Sequence, residues 1–526
     1  MLTIRRAAMV LIWPAIAYLG AACDRPDPTE PELPGVELSS GSSGTLWVND
    51  DGVALPSGTS CSNPNYNRIQ DAVNAAAPGY RINVCPGTYI EQVTIPAVKD
   101  NLRLRSVKRW EAIIKAPPVM PDFYKAIVRV NGATGVEILA FTITGPGGGP
   151  CNSLRFGVRV DDGGSADILG NLITDIRDAP PPPLVSGCQN GVGVQVGRRT
   201  QPSDPNPDIT VGSAKVMGNI IERYQKNGAT VDNLGSHGEI AHNRVLGVGS
   251  TSTIAQNGIQ ASQGATAEIE HNFVAQNIYT PQTFASTGIL LFQSGEVVTD
   301  HNTVTSNDVD IYMYQAAAGS TTEHNRTRAA TFDGITLDGG SQNQVAHNKT
   351  EQNGDQGVGV YDANNNGVDN NKVEENEGSG ILLFNSDNNT VGNNQVRENG
   401  TPGFDDTDGI RAEATSMGNI IQQNHLRDNV THDCHDVGAV DNDWDGNHGE
   451  TSEPPFLCDR ENDDAAFATT AAYGWDPDYP WSTAFDIPAD YDWAAAYATV
   501  DTESLLQLLP AVRLNGAGRR PTNPIR

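Results

Sequence analysis

Aromatic side chains are scarce in this chain, 6% of 526 residues, and basic ones are few, 34 Lys and Arg against 64 Asp and Glu. The first shortage fits a fold of short strands and tight turns, as do the 54 glycines. The second leaves a formal net charge of −30. That balance argues against nucleic acid as a partner, because such binding rests on Lys and Arg neutralising phosphates. It argues equally against unaided capture of an anionic polysaccharide, which would need calcium bridges or a locally basic groove; a neutral glycan would need neither. Also missing is any interior run long and apolar enough to span a bilayer.

What the chain does have is repetition. Units reading HNTVTSN (301–307), HNRTRAA (324–330), HNKTEQN (347–353), NNKVEEN (370–376) and NNQVREN (393–399) recur every 23 residues. Most are followed by a short apolar strand such as Gly334-Ile335-Thr336-Leu337 or Gly380-Ile381-Leu382-Leu383. A fixed period with Asn at one phase and alternating apolar residues elsewhere marks a β-solenoid, because each unit is too short to bury a core alone and must stack on its neighbours. Asn suits the repeated phase: side-chain amides stacked at the strand spacing, ~4.8 Å, hydrogen-bond from coil to coil.

The two ends differ from this pattern. Arg5-Arg6, an apolar run to Leu19 and Gly20-Ala21-Ala22-Cys23 have the layout of a secretory signal (residues 1–23). Cys23 stands where a bacterial lipobox places its acylated cysteine, although Leu19 is one place early. Residues 24–44, rich in Pro, Glu, Ser and Gly, suit a disordered tether. The tail, residues 459–526, carries Trp475, Trp481 and Trp493 and is expected to pack on the solenoid flank or cap its end.

Apart from Cys23 there are six cysteines: Cys61, Cys85, Cys151, Cys188, Cys434 and Cys458. Sequence alone leaves their pairing open. For a solenoid, whose contacts are short-range, the economical choice is Cys61–Cys85, Cys151–Cys188 and Cys434–Cys458. No two of them are close enough in sequence to suggest a zinc site.

Near the start of the repeats, Ile69, Ala72, Val73 and Ala76 fall at helical spacing and break at Pro78-Gly79. The surrounding segment IQDAVNAAAPGYRINVCPGTYIEQVTI (69–95) resembles the opening of right-handed parallel β-helix proteins of the pectin-esterase and NosD-like kind. The Asn-rich units are similar to the generic repeats of that group. Residues 45–458 come under this resemblance, which implies an all-β right-handed parallel β-helix with an amino-terminal capping helix. It implies little about activity, since such proteins include lyases, hydrolases, epimerases and members of no known function. The paired Asp and Gly-His-Gly pattern of polygalacturonases is not found, Ser236-His237-Gly238 being only a partial match. Nor is the Tyr-Gly-Phe-Asp-Pro-His type motif of mannuronan epimerases.

Strand alternation sorts the faces. With Ile and Leu pointing inward, the second outward position reads Asp161, Gln195, Asp232, Ser262, Phe292, Asp338, Tyr361, Phe384 and Glu413. Aromatics flanked by carboxylates suit sugar rings, so Phe292, Asp338, Tyr361 and Phe384 are the expected substrate-binding residues. Tyr312 and Tyr314 join them only if Ile311 and Met313 point inward, which a one-residue register slip would reverse. Longer segments stretch the period at 175–212, 275–287 and 400–408, and the latter two would wall this face.

Catalysis on such a sheet needs paired acids, or a base beside a cation. The best constellation is DDTDGIRAE, with Asp405, Asp406, Asp408, Arg411 and Glu413. Asp441, Asp443 and Asp445, in DNDWDG, have the opening of a calcium loop but no Glu at the twelfth position, where Ser452 stands. His242, His271, His301, His324 and His347 fall at one phase of the repeat, where later coils have Asn370, Asn393 and Gln423, and read as polar turn fillers. His432 and His435 read as a polar loop beside Cys434. The expectation is an exported, lipid-anchored monomer that touches a membrane only through its anchor and engages polysaccharide along one sheet face. Two alternatives stand beside it: a polysaccharide lyase or glycoside hydrolase using the 405–413 acids, and a structural surface protein whose sheet is covered by its own tail.

Overall fold

A computed structural model describes residues 44–179, 185–200, 207–404 and 406–459. The signal and lipobox with Cys23, the tether, Asp405 and the tail from residue 460 lie outside the described residues. What is described is a solenoid of three long parallel sheets: sheet I of 15 strands, sheet II of 13 and sheet III of 14. The chain visits them in the order I, II, III and then steps to the next coil. One such coil is Val297–Asp300, Thr303–Thr305 and Val309–Tyr314.

The core is built of single-residue columns. Ile289, Ile311, Ile335, Val358, Ile381 and Ile410 stack in register along sheet III, and Cys434 ends the column. All seven are fully buried. Burying one such aliphatic side chain stabilises by roughly 1.5–3 kcal/mol, and no coil has enough of them to stand alone.

The Asn phase seen in the sequence is one of three. Between sheets I and II a ladder runs from Asn171 through Asn219, Asn243, Asn272, Asn302, Asn325, Asn348, Asn371, Asn394 and Asn424 to Asn447. Each side-chain oxygen accepts the backbone N–H of the Asn before it at 2.8–3.1 Å. A second ladder between sheets II and III includes Asn277, Asn307, Asn353, Asn376, Asn399 and Asn429. A third, between sheets III and I, joins Asn343, Asn366, Asn389, Asn419 and Asn442. Three corners are thus satisfied by buried amides, which answers the need to pair backbone groups where the ladder of a sheet is interrupted.

The α-helix Ile69–Ala75 covers the first coils, as the spacing predicts. Its start is closed by a residue far along the chain: the backbone N–H groups of Ile69 and Gln70 donate to the two oxygens of buried Glu91, at 2.8 and 3.0 Å. The disulfides are Cys61–Cys85, Cys151–Cys188 and Cys434–Cys458, the pairing that short-range contact favours. None of the described helices is long and apolar enough to cross a membrane.

Two features distinguish the outer faces. Sheet II carries ion pairs between coils, with Lys349, Lys372 and Arg397 around Glu374 at 2.6–3.1 Å. Sheet III carries the aromatics, and the loops at 275–287 and 400–408 both enter it from sheet II, so they lie along the same edge.

Candidate active site

Ile311 and Met313 point inward, which puts Tyr312 and Tyr314 on the outer face of sheet III beside Leu290 and Phe292. Phe292 and Tyr314 stack with centroids 5.1 Å apart. Register then carries the column through Asp338, Tyr361 and Phe384, and Glu413 follows Ala412 at the next step. One assignment from alternation is corrected. Gln195 aligns with Arg159 rather than Asp161, because the glycine matching Gly157 is Gly193 and not Gly191.

The platform differs from the open one expected. Phe292 is 8%, Asp338 2% and Tyr361 0% exposed; Phe384 is half-buried. Tyr361 is buried because its ring turns back across its own strand: a methyl group on Gly359 would lie 2.4 Å from the Tyr361 ring and 2.5 Å from Asp333 Oδ2. Glycine at 359 makes that fold-back possible. The Tyr312 hydroxyl donates to Asp338 Oδ2 at 2.7 Å, so that carboxylate is also engaged. Phe384 is the member of the expected set that keeps surface for a ligand. Phe284 and Phe404, in the two edge loops, are 41% and 44% exposed.

Asp333 lies beneath this face, fully buried. It accepts from the Thr336 hydroxyl at 2.8 Å and from the Gln356 N–H at 3.3 Å. Burial pushes its carboxyl up to about 7, with the hydrogen bond from Thr336 only partly opposing. The native state therefore holds a proton that the unfolded chain releases near pH 4. The stability this contributes is present below that pH and is lost as pH rises towards 7. Asp333→Asn is expected to remove this loss, so that wild type falls relative to the variant between about pH 4 and 7 in urea unfolding.

Three coils on, Asp408 occupies the same place in its strand approach as Asp333, two residues before the inward Ile. Its surroundings are opposite in charge. Nδ1 of His432 is 3.0 Å from Asp408 Oδ1, Nδ1 of His435 is 2.9 Å from Oδ2, and Arg411 donates to Oδ2 at 2.9 Å. Arg411 also holds Glu413 at 2.6 Å and Asp406 at 3.2 Å. Burial raises the Asp408 carboxyl, but His435 and Arg411 outweigh it and hold it below the usual range.

Of the expected catalytic set, Asp406, Asp408, Arg411 and Glu413 are thus brought together. His432 and His435 join them, against their reading as loop polar residues. The signal was their spacing, 24 and 27 residues after Asp408, which is one coil.

Chemically, two imidazoles are each oriented by one oxygen of a buried carboxylate, which leaves Nε2 of each for proton transfer. The donor atoms of Asp408, His432 and His435 all lie within 4.8 Å of one another, a spacing a metal would accept. The Arg411 guanidinium, 3.1 Å from His435 Nδ1, already fills that side with positive charge, and acid–base work fits the set better.

The segment holding Asp441, Asp443 and Asp445 is taken up by the repeat as one more coil. Asp443–Asp445 is a strand paired with Ile420–Gln422, and all three aspartates are exposed. Asn442 is spent on the third ladder, accepting from Asn419 at 2.9 Å.

Residues 287–448 match the family model described as right handed beta helix region. No curated protein matches the chain. Among solved structures it is similar to XylC in complex with xylose, at 10% identity over 73% of this chain and 86% of that one, TM-score 0.46. It is also similar to DFA-IIIase from Arthrobacter chlorophenolicus A6 in complex with GF2 (16%, 67% and 87%, TM-score 0.40). A third is the A-module of the Azotobacter vinelandii mannuronan C-5 epimerase AlgE6 (14%, 73% and 88%, TM-score 0.34). Three parallel sheets wound in sequence give the described residues the fold of a right-handed parallel β-helix, and the family match covers their most regular coils.

Proposed function

We propose that the outer face of sheet III binds a polysaccharide, and that the Asp408–His435–Arg411 cluster at its carboxy-terminal end performs proton transfer on it. The observation that carries this reading is continuity of register: Leu382 pairs with Arg411, and Arg411 with His435, while Phe384 leads into Glu413. A chain of sugars lying along the coils past Phe384 would therefore reach the imidazoles. In this reading His435 acts as base or acid at Nε2, Asp408 fixes its orientation, and Arg411 stabilises negative charge that develops on the substrate. Three disulfides accord with export to an oxidising compartment, and the lipid anchor at Cys23 belongs to the same proposal.

The test is mass spectrometry of products after incubation with neutral and acidic polysaccharides. Shortened, unsaturated or epimerised sugars are expected from wild type and not from His435→Ala or Asp408→Asn, with binding retained in His435→Ala. Phe384→Ala is expected to weaken glycan binding by up to about tenfold, the worth of one aromatic contact. A panel left unchanged, with binding intact and sensitive to Phe384→Ala, would reduce the reading to a binding protein. No binding to any glycan would end it.

A further inference from the structure

On the corner between sheets I and II, remote in the coil from sheet III, five histidines stack into one column. Successive ring centroids from His242 through His271, His301 and His324 to His347 are 4.9, 5.0, 4.8 and 5.1 Å apart. All five sit in the left-handed region, with φ between 52° and 56°. That backbone does not require histidine: Asn370 and Asn393 hold the same place with φ 57° and 56°. The turn explains a short polar residue, but not why five consecutive coils use imidazole.

A carboxylate lies against the middle of the column. Asp300 Oδ2 is 2.7 Å from His301 Nδ1, and Oδ1 is 3.1 Å from His324 Nδ1. The donor atoms of these three residues all lie within 4.8 Å of one another. The three side chains are 23–32% exposed, so an ion has access. Glu270 and Glu323 flank Asp300 in register on the two neighbouring strands. Among the described residues no guanidinium or ammonium is paired with Asp300, unlike Asp408.

We infer that this column is a binding site for a divalent transition ion such as zinc, with Asp300, His301 and His324 as donors. Imidazole nitrogen and carboxylate oxygen suit ions of borderline softness. Donors at ~2.1 Å from one ion, set 90–109° apart, lie ~3.0–3.4 Å from each other, close to the carboxylate–imidazole separations already present. Each neutral ring shifts its single proton to Nε2 and offers Nδ1.

Isothermal titration of the metal-free full chain with zinc chloride tests this. Zinc uptake is expected in wild type and in His432→Asn/His435→Asn, and its loss in His301→Asn/His324→Asn and in Asp300→Asn. Because asparagine is the residue the fold itself uses at this corner, the His301→Asn/His324→Asn chain is expected to melt with wild type in metal-free buffer. No uptake by wild type, uptake retained without His301 and His324, or loss confined to the His432/His435 variant would each overturn the inference.

Discussion

Asn348→Ala is expected to destabilise the solenoid by about 2–6 kcal/mol, the sum of two stranded polar groups at roughly 1–3 kcal/mol each. The Asn348 side-chain oxygen accepts from both the backbone N–H and the side-chain amide of Asn325, at 2.9 and 3.1 Å. Its amide donates to Thr322 O at 2.8 Å and to Asn371 Oδ1 at 3.0 Å. Asn348 is 1% exposed, so water cannot readily replace what alanine removes. The measurement is the urea midpoint by circular dichroism, with Lys349→Ala, on the outer face one residue away, as the comparison. Equal midpoints for the two variants would show that the ladder contributes little. Asp in place of Asn348 would keep the acceptor and lose the donor, and is expected to be at least as damaging, since it places a charge in a buried amide column.

Asp208→Ala is expected to be as severe, for an electrostatic reason. Arg159 has no exposed surface. Asp208 grips it with both oxygens at 2.6 and 2.7 Å, and Asp161 takes its Nε at 2.6 Å. The guanidinium is packed over the rings of Tyr124 and Phe156 at 4.7 and 5.0 Å. Removing Asp208 leaves a buried cation half-compensated, which costs about 3–5 kcal/mol. Replacing both partners, Arg159→Met with Asp208→Leu, is expected to recover most of that loss, because breaking a buried pair harms more than exchanging it for apolar residues. Hydrogen bonds and charge from Arg159 outweigh burial and lower the Asp208 carboxyl. Its contribution is therefore present above the unfolded-state value near pH 4 and fades as pH falls through the folded value. The gap between wild type and Asp208→Ala should narrow in acid. A gap that widened there would contradict the assignment.

The fold was legible because its determinants are periodic and local. A 23-residue repeat, inward Ile and Leu, and the helix at Ile69 each state their place in sequence, and short-range contact selects the disulfides. The other two Asn ladders were harder to see, since Asn353 and Asn366 lie within segments that also read as ordinary polar turns. The site was legible by half. Asp406, Asp408, Arg411 and Glu413 fall within one short stretch, so their meeting was foreseeable. His432 and His435 reach Asp408 only by crossing to the next coil, and a linear reading separates them from it. Tyr361 shows a different gap. Alternation gave its direction correctly, but its burial depends on Gly359 and Asp333, and direction alone does not reveal whether a side chain lies open.

Because all three ladders and all three sheets advance together, the axis of this protein is graduated. Each whole coil adds one strand spacing, ~4.8 Å, and intermediate values are unavailable without breaking an amide column. The distance from the stacked Phe292–Tyr314 pair to the Asp408 cluster is therefore set as a count of coils, not as a continuous length. Loops entering sheet III, such as 400–408, can lengthen freely beside that scale without moving its marks. Separation along the groove and the shape of its wall are then two independent dials, one stepped and one smooth.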